Sequence, residues 1–288
     1  GGITLSSDGT SLLVGGSAVG GADLYAANES SPAAQPSATG GNAVAIGDSA
    51  VASAVDTIAI GFGATATGNF AASFGRGQAA GTNSVALGRG TTGSSASDSF
   101  AMGQAIVTSS DSVALGTSRA GGTESFAAVI GNNSSSYGAS GVYGVAIGRQ
   151  AKGAALGATA LGYQARADGN YSVALGRSFA NAQDSFAAAI GDSSGSYGAK
   201  NANSVALGQN ANAGWDNSIA IGTSATTSAT NQIALGGTAN QVKISGTYTL
   251  PTADGSANQV LTTNGSGAVT FADVGGASAY TIDNKTAA

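Results

Sequence analysis

Any chemistry in this chain would have to rest on a short list of side chains. Histidine and cysteine are absent, and Glu occurs only at Glu29 and Glu124. The commonest general base, the commonest transition-metal ligand and every thiolate site are thereby removed. Asp remains, in pairs or beside Ser and Lys. Yet Asn42, Asp56, Asn83, Asp98, Asp111, Asn203, Asn217 and Asn231 recur at one fixed position of a repeat. Asx side chains close tight turns through local backbone hydrogen bonds and tolerate left-handed backbone, so these carboxylates have a structural reason to be there. The chain reads as a non-enzyme with no cofactor and no metal site.

Residues suited to contact are easier to find. Tyr137 and Tyr197 each lie in a Ser-Tyr-Gly triplet, inside two stretches related by an offset of 60, "ESFAAVIGNNSSSYGA" from Glu124 and "DSFAAAIGDSSGSYGA" from Asp184. With Tyr143, Arg149, Lys152 and Lys200 they form the candidate receptor-contact set. Each tyrosine reads either as a sugar or protein contact or as a ring folded back over the wall. Arg76, Arg89, Arg149 and Arg177 follow a repeat glycine, with Asp48 and Asp192 in the same column. The column reads as a stripe for acidic glycans or as a solvated corner with stacked pairs, such as Arg177 beside Asp192; exposed pairs contribute little.

A repeat positions all of these. Apolar–Ala–apolar–Gly recurs with its glycine at 47, 61, 75, 88, 103, 116, 131, 148, 162, 176, 191, 208, 222 and 236. The spacing is 13 to 15 residues, except for two steps of 17, Gly131–Gly148 and Gly191–Gly208. Before the glycine stands Ile, Leu, Phe or Met; two before it stands Ala, with Ser73 and Val129 as exceptions; three before it, mostly Val or Ile. This period-two alternation is a short strand with one bulky and one flat face. A second alternation of small residues follows, as in Ala50 and Ala52, Ala64 and Ala66, Ala165 and Ala167, or Ala211 and Ala213. One coil is therefore two short strands and two turns, and the 17-residue coils carry inserts that project as loops.

The bulky Val/Leu face is expected to fill the roll, leaving the Ala column outside as a flat apolar stripe for other copies; the reversed facing is the alternative. That stripe comprises Ala45, Ala59, Ala86, Ala101, Ala114, Ala146, Ala174, Ala206, Ala220 and Ala234. Composition agrees with a repeat protein: 47 glycines in 288 residues and only 9% charged residues, against about 25% in an ordinary domain. A net charge of −5 without a basic patch argues against nucleic acid, and no apolar run reaches the roughly 20 residues of a membrane helix. A calcium-binding roll would need Gly-Gly-x-Gly-x-Asp nonapeptides, and an ice-binding ladder would need Thr-x-Thr in every coil. Neither is present.

The motifs "NSVALG" at 83–88 and 203–208 and "NSIAIG" at 217–222 resemble the head repeat of trimeric autotransporter adhesins, the YadA-like head. The resemblance covers about residues 41–237. It implies a left-handed parallel β-roll (β-solenoid) of about 14 coils, a homotrimer of chains side by side, and an adhesive surface. Residues 1–288 show neither the heptad stalk nor the membrane β-barrel of whole adhesins of that family, both of which a fragment could lack. Its tail, "GTYTLPTADGSANQVLTTNGSGAVTFADVGG" at 246–276, resembles a segment of phage tail-fibre and virion-fibre proteins. Together the two resemblances imply a phage fibre on the virion, active in host attachment, with other fibre or virion proteins at its ends and a host glycan or protein as target. The alternative is the head of an adhesin on the bacterial surface.

The expected organisation is all-β, with small hairpin regions at both ends: residues 1–40 a hairpin and linker, 41–237 the roll, 238–276 a small β-domain, 277–288 a tail. "ITLSSDGTSLLV" reads as a hairpin turning at Asp8-Gly9. Strands are expected near Thr247–Leu250, Gln259–Thr262 and Ala268–Ala272, with Asp254-Gly255 and Asn264-Gly265 turns. The first residue, Gly1, reads as the start of a processed product or a fragment.

Overall fold

The computed structural model describes residues 34–129, 131, 134–191, 195–237, 242–244, 248–251 and 253–273, and the strands Ile3–Leu5, Leu12–Val14 and Ser17–Ala18 ahead of them. The chain divides into two compact units, 1–150 and 151–288. Both are all-β parallel solenoids, with no helix among the described residues.

Each coil is a first strand, a corner, a two-residue second strand and a second corner. First strands stack in parallel register, so Val85, Ala86 and Leu87 lie beside Phe100, Ala101 and Met102 of the next coil. Second strands do the same, with Gln78 beside Thr91 and Ala79 beside Thr92. In the first unit the first-strand ladder runs from Val44–Ile46 to Val145–Ile147, and the second-strand ladder from Ser37–Ala38 to Gly138–Ala139. The roll thus already includes Ser37–Ala38, within the segment read as linker. In the second unit the corresponding ladders run from Thr159–Leu161 to Ile233–Leu235 and from Lys152–Gly153 to Asn212–Ala213.

The interior is alanine, which reverses the expected faces. Ala59, Ala86, Ala101, Ala114, Ala146, Ala174, Ala206 and Ala220 are fully buried, facing second-strand alanines such as Ala52, Ala66, Ala79 and Ala167, also fully buried. Ala45 and Ala234, in the outermost strands of their ladders, are partly covered. The Val and Leu columns point outward. Volume is the reason. Sheets carrying ordinary apolar side chains lie about 10 Å apart, and corners of a few residues cannot span that gap. Only methyl and hydroxymethyl groups fit between the strands of so short a coil.

Serine and threonine complete the interior. The residue four before the corner is fully buried at Thr57, Ser84, Ser112, Ser172, Ser204 and Ser218. Its hydroxyl donates to a corner carbonyl three residues back, from Thr57 to Ala54 (2.8 Å), Ser84 to Gly81 (2.7 Å) and Ser172 to Gly169 (2.7 Å). A buried carbonyl without a partner would be destabilising, so the column supplies core volume and satisfies the turn together.

The corners follow a stricter rule than the Asx count indicates. Every residue five before a corner is left-handed, at φ +52 to +63. Besides the Asx residues already named this includes Phe70, Glu124, Tyr143, Gly157 and Tyr171, and one more Asx, Asp184. In the 14-residue coils a second left-handed residue follows the corner glycine, at Ser49, Gly63, Gln150, Gln164, Asn210 and Ser224. The 13- and 15-residue coils omit that residue and turn in one step fewer. At Gly61 (φ +124) a Cβ would lie 2.3 Å from the carbonyl oxygen of Gly75 in the next coil, so stacking itself demands glycine there.

The long coils are registered differently from the sequence reading. Ala127, not Val129, occupies the interior column, beside Ala114 and Ala146. Ala187 likewise lies beside Ala174 and Ala206. The corner positions are therefore Val129 and Ala189, both at φ +55, and Gly131 and Gly191 belong to the inserts. Counted from those corners to Gly148 and Gly208, the long coils have 19 residues rather than 17. The pattern Ala-x-Ile-Gly mimics the repeat motif two residues late.

Ahead of the roll, Ile3–Leu5 pairs antiparallel with Leu12–Val14, which also pairs with Ser17–Ala18. The Asp8-Gly9 turn and residues 19–33 lie outside the described residues. Beyond the roll, Lys243–Ile244 pairs with Tyr248–Thr249, and Gln259–Thr263 pairs with Val269–Asp273. Asn264 Oδ1 closes the last hairpin by accepting from Ser266 N and Ala268 N (2.8 and 3.2 Å).

Candidate functional site

Two outer faces carry what the coils present to their surroundings. The first is the outward side of the first strands. Because alanine fills the inside, period-two alternation turns the Val/Ile and Leu/Ile/Met columns out. In the first unit Val44, Ile58, Phe74 and Met102 are exposed; in the second, Leu161, Leu207, Ile221, Ile233 and Leu235. Exposed aromatics flank this face at equivalent places: Phe62 and Phe70 in the first unit, Tyr163 and Tyr171 in the second. A contiguous apolar face of this kind marks an interaction surface. Sequence reasoning assigned that role to the alanines. The signal that finds it is side-chain volume against coil length.

The second face is the outward side of the second strands, most polar in the second unit. Lys152, Arg166 and Phe179 are consecutive neighbours along that ladder. Asp168 joins the two cations: its Oδ2 accepts from Arg166 Nε at 2.6 Å, and its Oδ1 faces Lys152 Nζ at 3.3 Å, an ion pair without hydrogen-bond alignment. Arg166 also lies over the Phe179 ring, 4.6 Å from its centre. Further along, Gly198 pairs with Asn212.

The six predicted contact residues are divided between the units. In the first, Tyr137 is half-buried on the long coil, Tyr143 is exposed at a left-handed corner, and Arg149 is exposed with its stem against the long coil at Gly131. In the second, Lys152 belongs to the Asp168 network, while Tyr197 and Lys200 are half-buried near the long coil's return, where Lys200 Nζ donates to Ser196 O at 3.3 Å. Arg166, Asp168 and Asn212 escaped the sequence reading, because only the ladder register aligns them. Of the arginine column, Arg76 stacks on Phe62 one coil earlier, 4.9 Å from the ring centre. Asp192 lies outside the described residues, so the expected pair with Arg177 does too. Among the described residues, no group of three or more acidic side chains is placed to hold a metal ion.

A parallel solenoid with a methyl-lined interior and an apolar outer ladder defines a structural repeat protein of the β-solenoid class. More particularly, the family model for the YadA head domain repeat matches residues 38–64, 52–77, 155–178, 199–214 and 216–239, and the chain carries YadA-like head repeats there. The coils outside these matches, about 78–154 and 179–198, include the short-corner and long ones. Their strands keep the same ladder register, so the structure extends the repeat across them. Among curated proteins, none matches the chain.

Proposed function

We propose that this chain is a non-enzymatic fibre segment, working as a homotrimer on a virion and contributing to attachment to a host surface. The observation that carries the assembly is the outward Val/Leu ladder in each unit. Fully burying an exposed Val or Leu is worth roughly 1.5–3 kcal/mol; these half-covered side chains gain the remaining part, and a column repeated coil after coil multiplies it when copies meet. The order of three rests on the likeness to trimeric adhesin heads, and the extracellular setting on the same repeat. No helix among the described residues is long and apolar enough to cross a membrane.

Light scattering under native conditions tests the assembly. A particle of three times the 27.2 kDa chain is expected, and a stable single chain overturns the reading. The matched adhesin-head repeat favours a second setting, the bacterial cell surface. Flanking genes separate the two: capsid and tail genes support the virion, a membrane anchor the cell.

A further inference from the structure

The guanidinium of Arg166 is held on two sides, through Nε by Asp168 and across its face by Phe179. Phe179 is only 6% exposed, and a Cβ on Gly195 of the long coil would touch its edge at 3.2 Å. The stack is thus closed in on its far side. An arginine fixed by Nε and by its face presents its terminal nitrogens as a rigid edge, the geometry that grips an oxyanion with two parallel hydrogen bonds. No other partner of Arg166 is present among the described residues. Lys152 sits about 5 Å away along the ladder, and Lys200, two residues past Gly198, about 10 Å on the other side of Arg166. One carboxylate, Asp168, serves both Lys152 and Arg166, so the face stays locally positive in a chain of net charge −5. Asn212 Oδ1 is buried there without a hydrogen-bond partner.

We propose that this face of the second unit binds the carboxylates of an acidic polysaccharide, with Arg166 gripping one group and Lys152 and Lys200 meeting its neighbours. Asn212 continues the ladder beside Gly198, and Ser196 lies against Lys200; an amide and a hydroxyl there suit sugar hydroxyls. The one aromatic ring in the column is covered, so an apolar peptide side chain has no pocket to enter. The proposal rests on the adhesive-fibre reading and names the ligand class of that surface.

Calorimetric titration of the full chain with an oligogalacturonate is the test. Saturable binding that weakens with added salt is expected, with none to the methyl-esterified oligomer. Arg166→Lys keeps the charge but loses the fork, and should weaken binding at least about tenfold; Lys152→Gln should weaken it severalfold with the Phe179 stack intact. Absence of saturable binding, full affinity in Arg166→Lys, or equal affinity for poly-glutamate each overturns the proposal. Light scattering on the same samples keeps the two ideas apart: a trimer that fails to bind removes this inference alone, whereas a single chain removes the fibre reading.

Discussion

Asn83 Nδ2 donates a hydrogen bond of 3.0 Å to Asp98 Oδ1 one coil further on, and both residues are left-handed, at φ +54 and +53. Asn42 with Asp56 and Asn203 with Asn217 repeat the contact, each at 2.9 Å. One Asx side chain thus does two things, tolerating the corner and tying adjacent coils together.

Asn83 separates these two contributions. Asn83→Gly keeps the left-handed corner and loses the tie, a cost of about 1 kcal/mol. Asn83→Ala loses the tie and adds about 1 kcal/mol or more of backbone strain. Denaturant unfolding should rank wild type above the glycine variant and the glycine variant above the alanine variant. Equal losses in the two variants would mean that the corner imposes no strain.

Ser84 donates to Gly81 O and accepts from Thr92 Oγ1 at 2.8 Å, in the interior. Ser84→Ala strands both partners away from water, so a loss of about 1–3 kcal/mol is expected by thermal unfolding. Exposed Ser135 changed to Ala should stay within about 0.5 kcal/mol. A Ser84 variant that melts with wild type would show that these partners are satisfied without the hydroxyl.

The inner and outer columns separate folding from assembly. Ala114→Leu overpacks a filled interior and should lower stability by about 1–3 kcal/mol, in single chains as well as assemblies. Met102, 42% exposed on the outer column, changed to Lys should leave secondary structure intact and dissociate the particle in light scattering. If Met102→Lys stays assembled while Ala114→Leu folds normally, the faces are assigned the wrong way round.

Val129 occupies a glycine corner at φ +55 with its side chain 69% exposed. A β-branched residue there is strained, and the exposed side chain returns little burial. Val129→Gly should therefore raise the melting temperature, since relief of about 1–2 kcal/mol exceeds the roughly 0.5–1 kcal/mol of added chain entropy. Ala189→Gly should move the same way by less. A fall in melting temperature would show that the Val129 side chain is doing packing work in the assembled state.

The repeat and its two-strand coils were legible in the spacing of Gly, Ala and Asx, the terminal hairpins in their alternation and turn residues, and the parallel roll in the likeness of the "NSVALG" motifs. Local rules dictate them: alternation makes strands, left-handed tolerance makes corners, and a fixed period makes a stack. Two things were not local. Register in the long coils was ambiguous because Ala128-Val129-Ile130-Gly131 satisfies the motif as well as Phe126-Ala127-Ala128-Val129 does, and only pairing of Ala127 with Ala114 and Ala146 decides between them. The facing of the strands was ambiguous because alternation is blind to which side is inside. Tertiary structure settled it through volume, since coils this short close only on methyl and hydroxyl groups. The same closure expels Val and Leu to the surface and lines up Lys152, Arg166 and Phe179, residues 13 or 14 apart in sequence, as neighbours on one wall.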